Sequence, residues 1–337
     1  MKNYTITLEV LTPVYIGNGR EILKKDFELR NGYAYVYDPI KLHSLFGRQY
    51  EEFLFDYWAN LTDFIQGNRQ RSGINKEKAL RYKVKSGDSG IRKSDNINEF
   101  MKDPYGYPYI PGSSLKGALR TVMLAHIIRE DKTSRFRMYK NEPLKRYSNA
   151  RNLENDAFGS FLKDDFRHFK ISDSEPLAKE DLILSKKIDI FKDGESNNKL
   201  NLCRESLKPG ATVKFNLTID KPYNEKIFRL ENIMKAIENF SKEYKKAYLS
   251  KFKSFNENQY GENMLYLGGG VGFLTKTVNH ALYEDRALKN IALYLDERFS
   301  RHKHRKDIEL GVSPRAKKCT KINDITMEMG ICSVRIG

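Results

Sequence analysis

A basic helix start is the first feature of the sequence that could bind an anion. In PYIPGSSLKGALR, residues 108–120, the prolines delay any helix until the glycine that follows them. Ser113 or Ser114 then offers a hydroxyl to the free backbone N–H groups of the first turn. Lys116 and Arg120 are four residues apart and therefore share one face of the helix. Because a helix start also carries the positive end of the helix dipole, these residues predict a phosphate-binding site.

A second candidate for anion binding is the glycine-rich segment LGGGVGF. Its glycines are Gly268, Gly269, Gly270 and Gly272. The segment lacks the Gly-Lys-Ser/Thr ending of a Walker A motif and the GxGxxG spacing of a dinucleotide site. A glycine run still lets backbone N–H groups approach an anion closely, and Lys276 would add a positive charge. The alternative is a tight turn without a ligand.

His168 is the histidine whose neighbours suggest chemistry. Residues 166–173 (FRHFKISD) have the pattern of a strand, and Arg167 and Lys170 flank the imidazole. A histidine among cations could act as the general base of RNA cleavage. It could equally stack on a base or pack without a chemical role, and the sequence leaves these alternatives open.

Motifs for metals and cofactors are missing from the sequence. It contains no HExxH, GxSxG or CxxC segment. The acidic pairs Asp164/Asp165 and Asp173/Glu175 could bind Mg²⁺, but such pairs are also common as surface charges. We therefore predict neither a metal site nor a cofactor.

The charge distribution points to a polyanionic partner. The 337 residues include 60 Lys and Arg against 44 Asp and Glu, a formal net charge of +16 at pH 7. Residues 66–98, 129–151 and 301–321 carry net charges of +6, +5 and +6, so the rest of the chain is close to neutral. Concentrated cations favour a nucleic acid, because each neutralised phosphate releases counterions. The alternative is solvated loops, and residues 66–98 in particular predict a long mobile insertion.

A membrane or secreted location is disfavoured. No apolar run approaches the roughly 20 residues that span a bilayer, and the N-terminal segment alternates like a strand instead of resembling a signal peptide. The odd number of cysteines, Cys203, Cys319 and Cys332, argues against a disulfide framework and fits a reducing compartment. The sequence predicts a cytoplasmic protein without a membrane partner.

The elements that would position these residues are strands interspersed with helices. Strands are predicted at 4–10, 166–173, 182–190, 211–219 and the C-terminal ITMEMGICSVRI, and helices at 40–65, from residue 112 onward, at 227–252 and at 282–299. This order favours an α+β fold with ferredoxin-like units. We predict an N-terminal domain over residues 1–220, with an insertion at about 66–100, and a C-terminal domain over 221–337 that carries the glycine segment.

Several segments together resemble a known family. PYIPGSSLKGALR at 108–120, LTPVYIGNG at 11–19 and LGGGVGFLTKT at 267–277 are similar to the RAMP superfamily of CRISPR RNA-binding proteins. FRHFKISDS, RESLKPGATVKFNLTI, SPRAKK and MEMGICSVRI resemble one branch of it, the fifth Csm subunits of type III-A effector complexes. The matched segments span nearly the whole chain.

The resemblance implies two ferredoxin-like (RRM-like) RAMP units with long basic insertions, and a binding role. Such a subunit caps one end of the complex near the 3′ end of the CRISPR RNA and contacts the neighbouring backbone RAMP subunit. It supports trimming of the RNA to mature length, while recruited cellular exonucleases do the cutting. The residues that the matching motifs imply for RNA binding are Ser113, Ser114, Lys116, Arg120, Gly268, Gly269, Gly270, Gly272 and Lys276.

One motif departs from the family pattern. Backbone RAMP subunits that cut target RNA place an Asp shortly before the PGSS segment. Here that stretch reads SDNINEFMKD, in which Asp95 and Glu99 are not in clear register. The departure argues against cleavage of target RNA.

Two rivals to the RNA-binding cap stay open. One is a metal-independent endoribonuclease that cuts CRISPR repeat RNA with His168 as the base. The other is a scaffold whose basic loops recruit a nuclease with little RNA contact. Three tyrosines before the predicted helix could stack on unpaired bases or simply pack there: Tyr105, Tyr107 and Tyr109.

Overall fold

The chain folds into three sheets with helices packed on them, as a computed structural model shows for residues 1–68, 75–142, 148–160, 163–197, 201–220, 228–255 and 260–337. The strands within these ranges are β1 (Lys2–Val10), β2 (Gly17–Ile22), β3 (Phe27–Arg30), β4 (Tyr33–Tyr37), β5 (Leu80–Lys85), β6 (Ile97–Phe100), β7 (Phe169–Ile171), β8 (Leu182–Lys186), β9 (Ile188–Phe191), β10 (Ser196–Asn197), β11 (Cys203–Leu207), β12 (Thr212–Ile219), β13 (Met264–Tyr266), β14 (Ala316–Ile322), β15 (Ile325–Glu328) and β16 (Ile331–Ile336). The α-helices are α1 (Pro39–Phe46), α2 (Arg48–Phe55), α3 (Leu61–Gly67), α4 (Gly112–Glu130), α5 (Arg137–Asn141), α6 (Ser148–Phe158), α7 (Leu230–Ala247), α8 (Asn279–Tyr283), α9 (Ala287–Arg298) and α10 (Lys306–Leu310). The fold is therefore of the predicted α+β class.

A five-stranded sheet joins the two ends of the chain. Its order is β13-β16-β1-β12-β7, and all its neighbours are antiparallel. In β1 the alternate residues Ile6 and Leu8 are fully buried, opposite Phe215 and Val213 of β12. The alternation that predicted both strands thus reflects one face against the core. Strands from both sides of residue 220 share this sheet, and the division into two domains stays a prediction.

Two further sheets complete the architecture. A seven-stranded sheet has the order β2-β6-β11-β8-β5-β4-β3, with parallel pairs β6/β11 and β5/β8. A four-stranded antiparallel sheet has the order β10-β9-β14-β15. The long helix α4 packs against α7 and buries the stripe that the sequence predicted, including Leu115, Leu119 and Met123. Helices α1 to α3 enclose a smaller apolar cluster of their own around Tyr50 and Phe53.

The predicted mobile insertion is largely ordered secondary structure. Residues 80–85 form β5 in the interior of the seven-stranded sheet, with Tyr82 and Val84 buried. The prediction of a long loop is therefore wrong for residues 75–98, and residues 69–74 of that segment lie outside the described ranges. The strand predicted at 182–190 is divided into β8 and β9, and the helix predicted at 282–299 into α8 and α9.

The three cysteine thiols all lie in the core. Cys203, Cys319 and Cys332 are unpaired and buried, and burial raises the pKa of each thiol to about 12. Among the described helices none is long and apolar enough to cross a membrane.

A buried network of charged and polar groups connects strands β5, β6 and β11 of the seven-stranded sheet. Glu205 on β11 is fully buried, and its carboxylate forms an ion pair with the Lys102 ammonium. The Tyr82 hydroxyl donates to Glu205 Oε1 at 2.8 Å, and the Phe100 backbone N–H donates to Oε2 at 3.0 Å. Lys102 also pairs with Glu99 at 3.2 Å. Burial, reinforced by the charge of Glu205, raises the pKa of Tyr82, so the phenol stays a donor.

We expect Lys102→Met to lower the free energy of unfolding by about 3–5 kcal/mol, because it leaves the buried Glu205 carboxylate without its cation. Denaturant titration followed by circular dichroism measures the loss. The matched control is Lys93→Met, whose exposed pair with Asp63 (2.8 Å) is worth at most about 1 kcal/mol. Equal losses in the two variants would contradict the stabilising role of the buried pair.

Candidate nucleic-acid interface

The start of α4 differs from the predicted cap. The helix begins at Gly112 after Pro111, and no serine side chain caps it. The Asp173 carboxylate instead accepts the Gly112 N–H at 2.8 Å. The prediction that Ser113 or Ser114 caps the helix is therefore wrong: the capping carboxylate comes from a residue 61 positions away in the chain.

Close backbone packing explains the first glycine of the PGSS segment. A Cβ on Gly112 would lie 2.3 Å from the carbonyl oxygen of Ser172 and 2.5 Å from that of Ile171. The end of β7 can approach the helix only because residue 112 has no side chain. This glycine serves helix–sheet packing, and Ser113 is left exposed beside it.

The two cations predicted to act together on α4 have different surroundings. Arg120 pairs with Glu154 (2.8 Å) and Asp164 (2.9 Å), and its guanidinium lies 4.6 Å from the centre of the Phe158 ring. Lys116, one turn earlier, is half-buried and contacts no carboxylate of the described residues. Burial lowers the pKa of Lys116, and the charge of Asp164 opposes that shift. Arg120 is thus neutralised by two ion pairs, whereas Lys116 forms none with a described carboxylate and feels Asp164 only at a distance.

The glycine segment docks on the chain just after β1. The Gly269 N–H donates to the Tyr15 carbonyl at 2.7 Å. Gly268 has φ +89°, and a Cβ there would lie 2.2 Å from the same oxygen. The first half of the segment therefore requires glycine for packing against Tyr15. A Cβ on Gly270 would lie 2.9 Å from Met329 Sδ and 3.0 Å from Arg204 Nη1, so the segment is open only at Gly272, where a Cβ would meet no atom within 4 Å.

Two residues beside the glycine segment were not predicted from the sequence, Tyr15 and Arg204. The Arg204 guanidinium lies 5.2 Å from the centre of the Tyr15 ring and 3.8 Å from Met329 Sδ. Arg204 is half-buried and meets no carboxylate in the part of the chain that the structure describes. Burial lowers its pKa. Both residues lie in segments that resemble the family. The sequence pattern of β11 nevertheless did not indicate that Arg204 lies beside the glycines.

Lys276 extends this positive region. Its side chain is solvent-accessible, yet the surrounding protein atoms and the nearby charge of Arg204 lower its pKa. No described carboxylate lies within ion-pair distance of its ammonium. Arg204 and Lys276 therefore repel each other with no described carboxylate between them, an arrangement that an anion would relieve.

Helix α4 and the segment after the glycines meet around one cavity. Its volume is about 450 Å³, and its walls include Gly117, Arg120 and Thr121 of α4. Phe273 and Lys276 also line it. Of the nine residues predicted to bind RNA, Arg120 and Lys276 therefore line one cavity, and the other seven do not line it.

The described residues do not assemble a catalytic or metal site around His168. This residue ends a 3-10 turn, Asp165–His168, so its predicted position on a strand is wrong. Its Nε2 accepts from Arg167 Nε at 3.1 Å. Of the acids proposed for Mg²⁺, Asp173 caps α4 and Asp164 pairs with Arg120. Within the same ranges there is no cluster of three or more metal-binding side chains.

Much of the positive charge of the C-terminal basic segment is neutralised locally. Five of the eight basic residues in 301–321 form ion pairs: Arg305 with Asp296, Arg315 with Asp307, Lys317 with Glu328, Lys318 with Asp189 and Lys321 with Asp324.

Elsewhere, Asp95 pairs with Arg92. Tyr105 and Tyr107 are exposed, as base stacking would require, whereas Tyr109 is half-buried.

The sequence profile of the RAMP superfamily matches residues 7–275. This chain belongs to the RAMP superfamily. The predicted resemblance is thereby confirmed at the level of the superfamily, and similar proteins carry the name of the predicted branch. The CRISPR system Cms protein Csm5 of Mycobacterium tuberculosis (strain H37Rv) is 27% identical, over 100% of this chain and 98% of the relative. That of Streptococcus thermophilus is 28% identical, over 82% of this chain and 80% of the relative.

Solved structures share the fold of this RAMP protein. A chain in a cryo-EM structure of a Csm–crRNA–target RNA ternary complex of a type III-A CRISPR-Cas system superposes with a TM-score of 0.70 at 19% identity, covering 98% of this chain and 100% of that one. The crystal structure of T. onnurineus Csm5 gives a TM-score of 0.67 at 20% identity, covering 97% and 99%. These similarities extend over both halves of the chain.

The two glycines of α4 should respond in opposite ways to alanine. We expect Gly112→Ala to lower the free energy of unfolding by about 1–3 kcal/mol, because the new Cβ collides with the Ser172 carbonyl. Gly117→Ala should raise it by about 0.5–1 kcal/mol, since its Cβ meets no atom within 4 Å and alanine favours the helix. Thermal denaturation of both variants tests this; a stabilised Gly112→Ala would contradict the packing argument.

Proposed function

We propose that this chain is the RNA-binding end subunit of a type III-A CRISPR effector complex. In this role it holds CRISPR RNA near its 3′ end and supports maturation of that RNA to its final length in antiviral defence. The observation that carries the proposal is the presence of three cations in or beside the two predicted motifs: Lys116 on α4, and Arg204 and Lys276 beside the glycine segment. None of them contacts a carboxylate of the described residues.

A partly buried charge without a counter-ion costs free energy, because it loses hydration and gains no opposite charge in return. Taking Lys116 and Arg204 partly out of water weakens their hydration, and the lowered pKa values report that cost. Successive phosphates of a single strand would restore the missing charge interactions. The open backbone near Gly272 leaves room for a sugar-phosphate strand to approach.

The relatives support the assignment to this kind of assembly. The similar proteins are named Csm5, and one similar structure is part of a complex with crRNA and target RNA. We propose that this chain likewise contacts CRISPR RNA and a neighbouring backbone RAMP subunit, and that recruited cellular exonucleases carry out the trimming. We also propose that the fold comprises two ferredoxin-like units meeting near residue 220, with the shared five-stranded sheet as their junction.

Removing the uncompensated cations should weaken RNA binding in a salt-dependent manner. For Arg204→Gln combined with Lys276→Gln we expect lower affinity for single-stranded RNA. The slope of log K against log salt should flatten by about 1.4, or about 0.7 per lost phosphate contact. Fluorescence anisotropy at several salt concentrations measures both quantities.

The matched control is Lys242→Gln, which removes one charge from an exposed ion pair with Glu238 on α7. It should leave the slope unchanged. If the double variant also keeps the wild-type slope, the site assignment fails and the scaffold alternative gains support.

We propose a binding role and not a nuclease, because the His168 imidazole lies beside Arg167 without an assembled set of catalytic partners among the described residues. Purified protein incubated with labelled CRISPR repeat RNA in EDTA should leave the RNA intact. Discrete cleavage products that disappear with His168→Ala would instead establish the endoribonuclease alternative.

A further inference from the structure

The cavity between α4 and the glycine segment has features that phosphate binding alone does not explain. Beyond the charged residues Arg120, Glu154 and Lys276, most of its wall is apolar and aromatic. Leu124, Tyr139, Leu153, Leu282, Tyr283 and Tyr294 all line it. A groove that contacted only a sugar-phosphate backbone would need no apolar depth of this kind.

We infer that this cavity holds one unstacked nucleotide of the bound RNA, with the base against the aromatic wall and the phosphate at Lys276. The inference rests on the proposed RNA-binding function and specifies what part of the RNA enters the site. A nucleotide fits this cavity because an apolar, aromatic lining is combined with the exposed cation Lys276. The two parts of a nucleotide have that same division of properties.

The aromatic wall is suited to a flat ring. Phe273 and Tyr294 lie with their ring centres 6.1 Å apart and their planes 23° from parallel. Neither ring is fully buried, so each keeps accessible surface for a further stacking partner. The volume of about 450 Å³ lies within the range of small-molecule sites. Thr121, Thr277 and Asn279 add polar atoms to the lining. The Thr121 hydroxyl donates to the Gly117 carbonyl and the Asn279 amide to Thr277 Oγ1, so their oxygens offer acceptors to the edge of a base.

The charges at the mouth select an anion and fix its position. Arg120 is held by Glu154 and Asp164, so its charge is already balanced. Lys276 has no described carboxylate partner and is solvent-accessible, which leaves it as the phosphate contact. Arg204 lies near enough to lower the pKa of Lys276, so a second phosphate of the same strand could follow.

Gly117 provides a way to close the cavity without touching these cations. It lines the cavity from α4 and is exposed, and a Cβ at this position would meet no atom within 4 Å. Because Gly117 lines the cavity and the space around its Cβ position is open, we expect a phenylalanine here to fill part of the cavity. An alanine would favour the helix and leave the cavity open, so Gly117→Ala is the matched control.

The test uses the full-length chain and a single-stranded RNA 12-mer with 2-aminopurine at one position in turn. We expect the wild type and Gly117→Ala to change the fluorescence strongly at one position. Gly117→Phe should abolish that response and weaken affinity about tenfold, as expected for the loss of one stacked base. It should not change the salt slope, because the phosphate contacts remain. Tyr294→Leu, which removes one stacking ring without filling the cavity, should weaken the same response.

The outcomes separate this inference from the proposed function. If the wild type binds RNA with strong salt dependence but Gly117→Phe binds as tightly as Gly117→Ala, the inference is overturned and the RNA-binding function stands. If the wild type fails to bind the 12-mer, the proposed function falls as well. Free adenosine and uridine monophosphates form a third arm. If they bind as tightly as the 12-mer and Gly117→Phe blocks them, the occupant is a free nucleotide and the inferred RNA origin is wrong.

Discussion

The pairing of β1 between β12 and β16 is the constraint on which the rest of the structure depends. Leu8 lies opposite Val213 on one side and Val334 on the other. The pairing of this one residue therefore fixes the register of strands from three parts of the chain. A one-residue slip would turn the apolar face of β1 away from the core. The same sheet holds β13, which leads into the glycine segment. The position of Tyr15 under Gly268 therefore follows from this register, and the candidate interface forms where these segments meet.

Local patterns predicted the elements, and contacts distant in sequence decided the details of the site. The period-two alternation of β1 and β12 and the apolar stripe of α4 reflect burial of one face, which sequence spacing reports directly. The cap of α4 could not be predicted in this way, because Asp173 belongs to another segment. Arg120 likewise finds its acids at Glu154 and Asp164, and nothing in the spacing of the PGSS segment reveals them.

The net charge predicted a polyanionic partner, but it could not predict which cations would form ion pairs within the fold. Five of the eight cations in 301–321 form ion pairs, some of them with carboxylates distant in sequence, so the formal charge of that run overstates its free charge. Arg204 and Lys276, by contrast, lie far apart in the chain and come close enough to interact only through folding. A usable local signal does exist in RYKVK, residues 81–85, where buried Tyr82 and Val84 alternate with exposed cations and mark β5.

The burial of all three cysteines has a practical consequence for work on this protein. Their thiols are shielded from solvent and stay protonated near neutral pH, so they are poor nucleophiles towards maleimides. A cysteine introduced on the surface would then be the one rapidly reactive sulfur of the folded chain. Site-specific dyes or spin labels could be attached to the native background without first removing any natural residue.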